Sequence, residues 1–328
     1  MTGAVNRLVI RAPNWLGDVV LSLPAVRDIR RGFPDARITV LARPVVAPLY
    51  EAVPEVDAVA SAQGLWPEVG VMRRGFDAAI LLPNSAGTAL AALLGGVPER
   101  WGYGTQGRGF LLTRKAPVPG AIRGRSQVHY YRAMLSAVGL ATFEGLDTFI
   151  RPPAPWRDQG RALLGPGRFF GIAPGAAKGS AKQWPGERFA AAADRIGDEL
   201  SAKAVLLGSA ADAGAAETVA RAMKSPFANL CGRTDLRTFV GVVSNLEALL
   251  ANDSGAMHLG ASLGVPTVGV FGPTNPDETH PVGVKATFVR GQAECSPCRH
   301  ITCPIDHRCM TSVAPETAVQ RLLQEVRS

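Results

Sequence analysis

The chain has 328 residues, 47% of them apolar, and carries a formal net charge of +8 from 35 basic and 27 acidic side chains. That length predicts two domains, each with its own core, and the absence of an apolar run of about 20 residues argues against a bilayer-spanning segment. The positive excess points to an anionic partner, but no helix-turn-helix, zinc-finger or RNA-binding signature accompanies it, which argues against nucleic acid.

In chain order, the few apolar residues near the amino terminus lack a small-residue cleavage site, so Arg7 to Arg11 reads as a first strand and a cytoplasmic protein is expected. Leu16 to Arg30 reads as a helix, Arg37 to Leu41 and Asp77 to Leu82 as strands, and Ser85 to Leu94 as a helix. From about Gly95 to Arg125 the chain is irregular. Arg100, Arg108, Arg114, Lys115, Arg123, Arg125 and Arg132 crowd this region with few acids, as a solvated face or an anion-binding one. Gln127 to Val138 is a helix, and the proline-dense Arg151 to Trp156 is expected to be a stiff connector.

Beyond it, Arg168–Ala173, Lys203–Gly208, Glu247–Ala251 and Thr267–Phe271 read as strands, with helices at 186–200, 212–223, 236–243, 256–263 and 315–326. Such alternation marks parallel sheets covered on both faces. The expected fold is therefore α/β, with two doubly wound domains at 1–155 and 156–314 and a terminal helix at 315–328. The carboxyl ends of both sheets can then face a cleft that holds one substrate in each half.

Three turns at strand ends carry chemistry. Arg11-Ala-Pro-Asn-Trp-Leu-Gly-Asp18 places Asp18 in the first turn of a helix, where it either serves the helix terminus or acts as a general base. Pro174 to Pro185 combines small residues with Lys178, Ser180 and Lys182, a composition that lets backbone and ammonium approach phosphate, although no Walker A pattern is present. Asn252-Asp253-Ser254-Gly255 follows an apolar strand and opens a helix bearing His258, the place where parallel sheets bind phosphate-bearing ligands. A dinucleotide reading is poor, because no G-x-G-x-x-G occurs after the first strand.

Cys295-x2-Cys298-x4-Cys303-x5-Cys309, with His300 and His307 interspersed, lacks the paired spacing of a zinc ribbon. Metal ligation, structural or redox-labile thiols, and an acceptor-related role all remain open, while disulfides are disfavoured in a reducing compartment.

Taken together, Pro13-Asn-Trp-Leu-Gly-Asp18, Leu82-Pro-Asn-Ser85, Arg100-Trp-Gly-Tyr103, Gly107–Thr113, Lys182-Gln-Trp-Pro185, Asn252-Asp-Ser-Gly-x-x-His258 and Phe271-Gly-Pro-Thr274 resemble the ADP-heptose–lipopolysaccharide heptosyltransferases of glycosyltransferase family 9. The resemblance covers nearly the whole chain, and the cysteine-bearing tail looks like that of members adding the second heptose. It implies a GT-B fold of two Rossmann-like domains and inverting transfer of L-glycero-D-manno-heptose from ADP-heptose to a heptose of the inner core.

Under that resemblance Asp18 is the base. Lys182, Lys178, Ser180, Asp253, Ser254, Gly255 and His258 hold the donor, and Asn14, Asn84, Ser85, Arg100 and Arg108 meet the acceptor. It implies no cofactor and no catalytic metal. The acceptor would be lipid A–Kdo–heptose, met at the inner face of the cytoplasmic membrane. The alternatives are a different acceptor within the family, or a non-catalytic carbohydrate- or nucleotide-binding module.

Overall fold

The computed structural model describes residues 5–122, 124–143, 145, 149–177 and 179–328, and the chain divides into two compact units, Met1–Leu146 and Asp147–Ser328. The first is built on β1 (Arg7–Arg11), β2 (Arg37–Ala42), β3 (Ala58–Ser61), β4 (Ala78–Leu81), β5 (Glu99–Tyr103) and β6 (Arg114–Ala116). All pairs are parallel, in the order β3-β2-β1-β4-β5-β6. Leu8, Val9 and Ile10 are fully buried, as expected of a central strand covered on both faces. The chain winds outward from β1 on one side and then returns to lay β4 on the other. The order therefore reverses between β1 and β4, the place where such sheets open a crevice.

Two helices of this unit, Leu16–Gly32 and Gln127–Ala137, are joined by a buried ion pair. Arg132 Nε lies 2.7 Å from Asp28 Oδ2, with a second bond from Nη2 to Oδ1 at 3.3 Å, and Asp28 is fully buried. Removing one partner of such a pair strands the other charge, so the bridge fixes the helix whose first turn carries Asp18.

The second unit repeats the plan with β7 (Phe169–Ala173), β8 (Lys203–Leu206), β9 (Phe227–Asn229), β10 (Leu249–Asn252), β11 (Thr267–Phe271) and β12 (Ala286–Arg290), all parallel in the order β12-β11-β10-β7-β8-β9. Here the reversal lies between β7 and β10. The terminal helix Pro315–Arg327 contributes Ala318, Val319, Leu322 and Leu323 to this unit's core. The Ile150 amide donates to Ser262 O, tying the chain to the second unit well before the expected boundary at residue 155. Among the described residues no helix is long and apolar enough to cross a membrane.

The structure adds strands β3, β9 and β12 to those expected, and it departs from expectation in two further stretches. The proline-dense connector turns helical at Ala154–Leu164, because Pro152 and Pro153 stop short of the helix and Pro155 falls in its first turn, where a missing N–H costs nothing. That helix packs closely on Leu236–Val243: a Cβ built on Gly241 would sit 1.9 Å from Trp156 O, and one on Gly160 would sit 2.2 Å from Gly241 C. Both clashes are with backbone, so Gly241→Ala is expected to cost about 1–3 kcal/mol through overpacking, read as a lower urea midpoint at unchanged slope.

The stretch after Gly95, irregular by its sequence, contains β5 and β6. In β5, Trp101 and Tyr103 alternate inward while Glu99, Arg100 and Gly102 mask the pattern. Gly102 has a steric reason: its Cβ would lie 3.0 Å from both Leu81 O and Arg108 Nη2.

Candidate functional site

In the second unit, the loops leaving β7, β10 and β11 meet at the reversal point, since these three strands are neighbours in the sheet. Asp253, at the end of β10, is 6% exposed. Its Oδ2 receives Lys182 Nζ at 2.5 Å from the loop after β7, and the Thr274 hydroxyl at 2.8 Å from the loop after β11. One buried carboxylate thus joins all three loops and aims the lysine.

Asn252, fully buried, adds a second clasp. It donates from Nδ2 to Pro174 O at 2.7 Å and accepts from the Trp184 amide at 3.0 Å, so both ends of the lysine loop hang on one side chain. Asn252→Ala leaves a buried donor and a buried acceptor without partners. We expect a loss of about 2 kcal/mol, measured by denaturant unfolding, with faster proteolysis between residues 174 and 184.

The next residues open the helix Gly255–Ser262. Ser254 occupies its N-cap position, yet its side chain caps nothing, and its Oγ is buried with no protein partner. A helix start without a side-chain cap, a buried hydroxyl and a nearby ammonium are groups that bind a phosphate or diphosphate. Gly255 begins the helix, and His258 is 4% exposed on its first turns. Ser180 is exposed in the short turn Ser180–Lys182. Lys178 lies outside the described residues.

In the first unit, Asn14 and Asp18 follow β1 while Asn84 and Ser85 follow β4, so all four flank that sheet's reversal point. Arg11 is buried and forms two bonds to Glu68, Nε–Oε2 at 3.1 Å and Nη2–Oε1 at 2.9 Å. Its Nη2 also reaches Asn14 Oδ1 at 3.0 Å, so a buried ion pair orients Asn14. Asp18 is half-buried in the first turn of Leu16–Gly32, which has no side-chain cap. Its charge is felt by Tyr131: burial first, and then Asp18, push that phenol well above its ordinary pKa. Asn84 Nδ2 donates to Tyr130 Oη at 2.5 Å, while its Oδ1 is buried with no protein partner. Ser85 caps the helix Ala86–Leu94 by accepting from the Gly87 amide at 3.1 Å.

Two residues expected to meet the acceptor, Arg108 and Arg100, turn guanidinium groups toward backbone carbonyls of their own unit. Arg108 is fully buried: it donates from Nε to Tyr103 O at 2.8 Å and from Nη1 to Pro83 O at 2.5 Å and Ser85 O at 3.1 Å. It shapes the Asn84 loop from behind and offers no surface to a ligand, and burial lowers its pKa. Arg100 spends its guanidinium on the carbonyls of Val97, Pro98 and Leu111. Of the other basic residues there, Arg132 pairs with Asp28 and Arg114 with Glu99, while Lys115 and Arg125 are exposed and Arg123 lies outside the described residues.

Sequence reading missed Thr274 and Asn252 as organisers of the site. Both belong to motifs that carry the family resemblance, but only the adjacency of β7, β10 and β11 shows what they hold. The four clustered cysteines are all unpaired thiols around one cavity.

Residues 70–308 match glycosyltransferase family 9 (heptosyltransferase). Lipopolysaccharide heptosyltransferase 2 of Escherichia coli K12 is 30% identical over 307 residues, covering 87% of this chain and 88% of that protein. Lipooligosaccharide heptosyltransferase 2 of Haemophilus influenzae is 29% identical over 316 residues, with the same two coverages of 87% and 88%. Among solved structures, E. coli ADP-heptose LPS heptosyltransferase II superposes with a TM-score of 0.85 at 27% identity over 98% of both chains.

Proposed function

Because the chain belongs to glycosyltransferase family 9, the heptosyltransferases, we propose that it moves L-glycero-D-manno-heptose from ADP-heptose to a heptose of the lipopolysaccharide inner core, with inversion at the anomeric carbon. The GT-B assignment accords with its two Rossmann-ordered sheets. The observation that carries the donor reading is the Lys182–Asp253–Thr274 cluster beside the uncapped start of Gly255–Ser262.

In this reading the diphosphate lies against Lys182, the Ser254 hydroxyl and the first amides of that helix. The acceptor hydroxyl gives its proton to Asp18, and its oxygen bonds to the anomeric carbon. The bond from that carbon to the diphosphate oxygen breaks, and ADP leaves with the electron pair. Negative charge grows on the leaving diphosphate, where the lysine and the helix amides stabilise it. Catalysis in this scheme uses the chain's own groups, without a cofactor.

The acceptor is a lipid A–Kdo–heptose at the inner face of the cytoplasmic membrane, approached from the cytoplasm. Phe110, 84% exposed, and the exposed Lys115 and Arg125 support an encounter with an anionic lipid surface. Purified protein with ADP-heptose and defined core acceptors provides the test. Turnover on an acceptor that already carries one heptose supports the assignment, and turnover only on a heptose-free acceptor refutes it.

A further inference from the structure

The segment between β12 and the short helix Arg308–Thr311 is regular neither as helix nor as strand, yet it forms the wall behind the donor cluster. The amides of Cys298 and Arg299 both donate to Pro273 O, at 3.0 and 2.9 Å, and the Ser296 hydroxyl donates to Gly272 O at 2.5 Å. These bonds hold the loop that presents Thr274. On the other side the Ala181 amide donates to Ile301 O at 3.1 Å, one residue from Lys182. A Cβ on Gly179 would sit 2.1 Å from that same Ile301 oxygen, so the two backbones touch there. Both arms of the Lys182–Asp253–Thr274 cluster therefore rest on this segment.

What holds the segment itself is not apolar burial. Ile301 is 69% exposed and Ile305 56% exposed. Its distinguishing content is four thiols, Cys295, Cys298, Cys303 and Cys309, which together with Ala181 and Pro273 line one cavity of about 70 Å³. Two non-glycine residues beside these cysteines adopt the left-handed conformation, Arg299 at φ 60° directly after Cys298 and His307 at φ 55° two residues before Cys309. Such backbone is costly for residues with a Cβ and persists where surrounding structure demands it. The His307 amide donates to Cys303 Sγ at 3.3 Å, a bond that stabilises a sulfur bearing negative charge.

We propose that Cys295, Cys298, Cys303 and Cys309 bind one thiophilic divalent metal ion, zinc or iron(II), as thiolates, and that the ion stiffens the wall behind Lys182 and Thr274. Four sulfur ligands are the donor set these ions favour in tetrahedral geometry. As the side chains stand, no three of them meet closely enough to hold an ion. Occupancy therefore draws the thiols inward across the cavity, and each thiol releases its proton to solvent as its sulfur–metal bond forms. The ion is structural: all four positions are taken by protein, and no step of the transfer passes through it. The metal site rests on the four thiols that line one cavity, whereas its effect on the donor rests on the proposed function.

The test uses full-length protein purified reduced, without chelator or added metal. Elemental analysis is expected to find about one equivalent of zinc or iron, falling below about a tenth in Cys298→Ser and Cys303→Ser, both only partly buried. Cobalt(II) added to stripped protein is expected to give a thiolate-to-cobalt charge-transfer band that both variants lose. ADP affinity, measured by calorimetry, is expected to fall about 10-fold on stripping, the low end for lost support around a site. Wild-type protein with less than about a tenth of an equivalent and no cobalt band overturns the metal site, as does isolation with these cysteines paired as disulfides. A bound ion whose removal leaves ADP affinity unchanged overturns the bracing role. If neither loaded nor stripped protein binds ADP, the donor reading fails while the ion site stands.

Discussion

Asp18→Asn is expected to reduce kcat by at least ~100-fold, the low end of what general base catalysis supplies, while ADP-heptose binding stays unchanged. Asparagine keeps the shape of the side chain but cannot take a proton. The structural cost is bounded, because losing a carboxylate from the first turn of Leu16–Gly32 forfeits at most about 1 kcal/mol of interaction with the helix terminus. A hundredfold rate loss corresponds to ~2.7 kcal/mol at the transition state, so the two effects separate cleanly. Calorimetric titration with ADP and steady-state kinetics on the same preparation would settle the role. Normal turnover by the variant removes Asp18 from the chemistry, and a parallel loss of ADP affinity assigns it to structure. Burial first, and then this charge, push the phenol of Tyr131 well above its ordinary pKa.

Lys182→Ala is expected to lower kcat/KM for ADP-heptose by about 10²–10³-fold, the range for removing one donor to developing negative charge. Part of that loss has a particular source. Asp253 is buried at 6% exposure, and without the lysine its carboxylate stands unneutralised beside the site of an incoming diphosphate. The double variant Lys182→Ala with Asp253→Asn is therefore expected to bind ADP more tightly than Lys182→Ala alone, by about 10-fold, while remaining slow. This reversal is the discriminating result, because a lysine that merely packed would give no recovery. Unchanged ADP affinity in the single variant would take Lys182 out of the site.

Asn252-Asp253-Ser254-Gly255 announced itself because an apolar strand, a turn and a helix start follow one another locally. The helices Gly186–Leu200 and Leu236–Val243 were legible to the residue, since their apolar periodicity is also local. Strand β5 was not: glutamate, arginine and glycine outnumber the two aromatic residues that face the core, and Gly102 is explained only by Arg108 and Leu81 across space. The helix Ala154–Leu164 is masked by prolines that local composition assigns to a connector but that a helix accepts before its start and in its first turn.

Arg108 marks the same limit for function. In sequence it is one of several arginines in a glycine-rich stretch, suited to an anionic acceptor. In the fold it is a fully buried staple on the carbonyls of Pro83, Ser85 and Tyr103. What the sequence determined by itself was the alternation that makes two parallel sheets, and the residue types at the turns after β1, β7 and β10, because strand ends and helix starts are encoded by neighbours in the chain. Only the tertiary structure decided which charges face a ligand and which face backbone. It alone showed that Thr274 and Lys182 share one carboxylate and that four thiols surround one cavity, since strand order and burial depend on contacts between residues far apart in sequence.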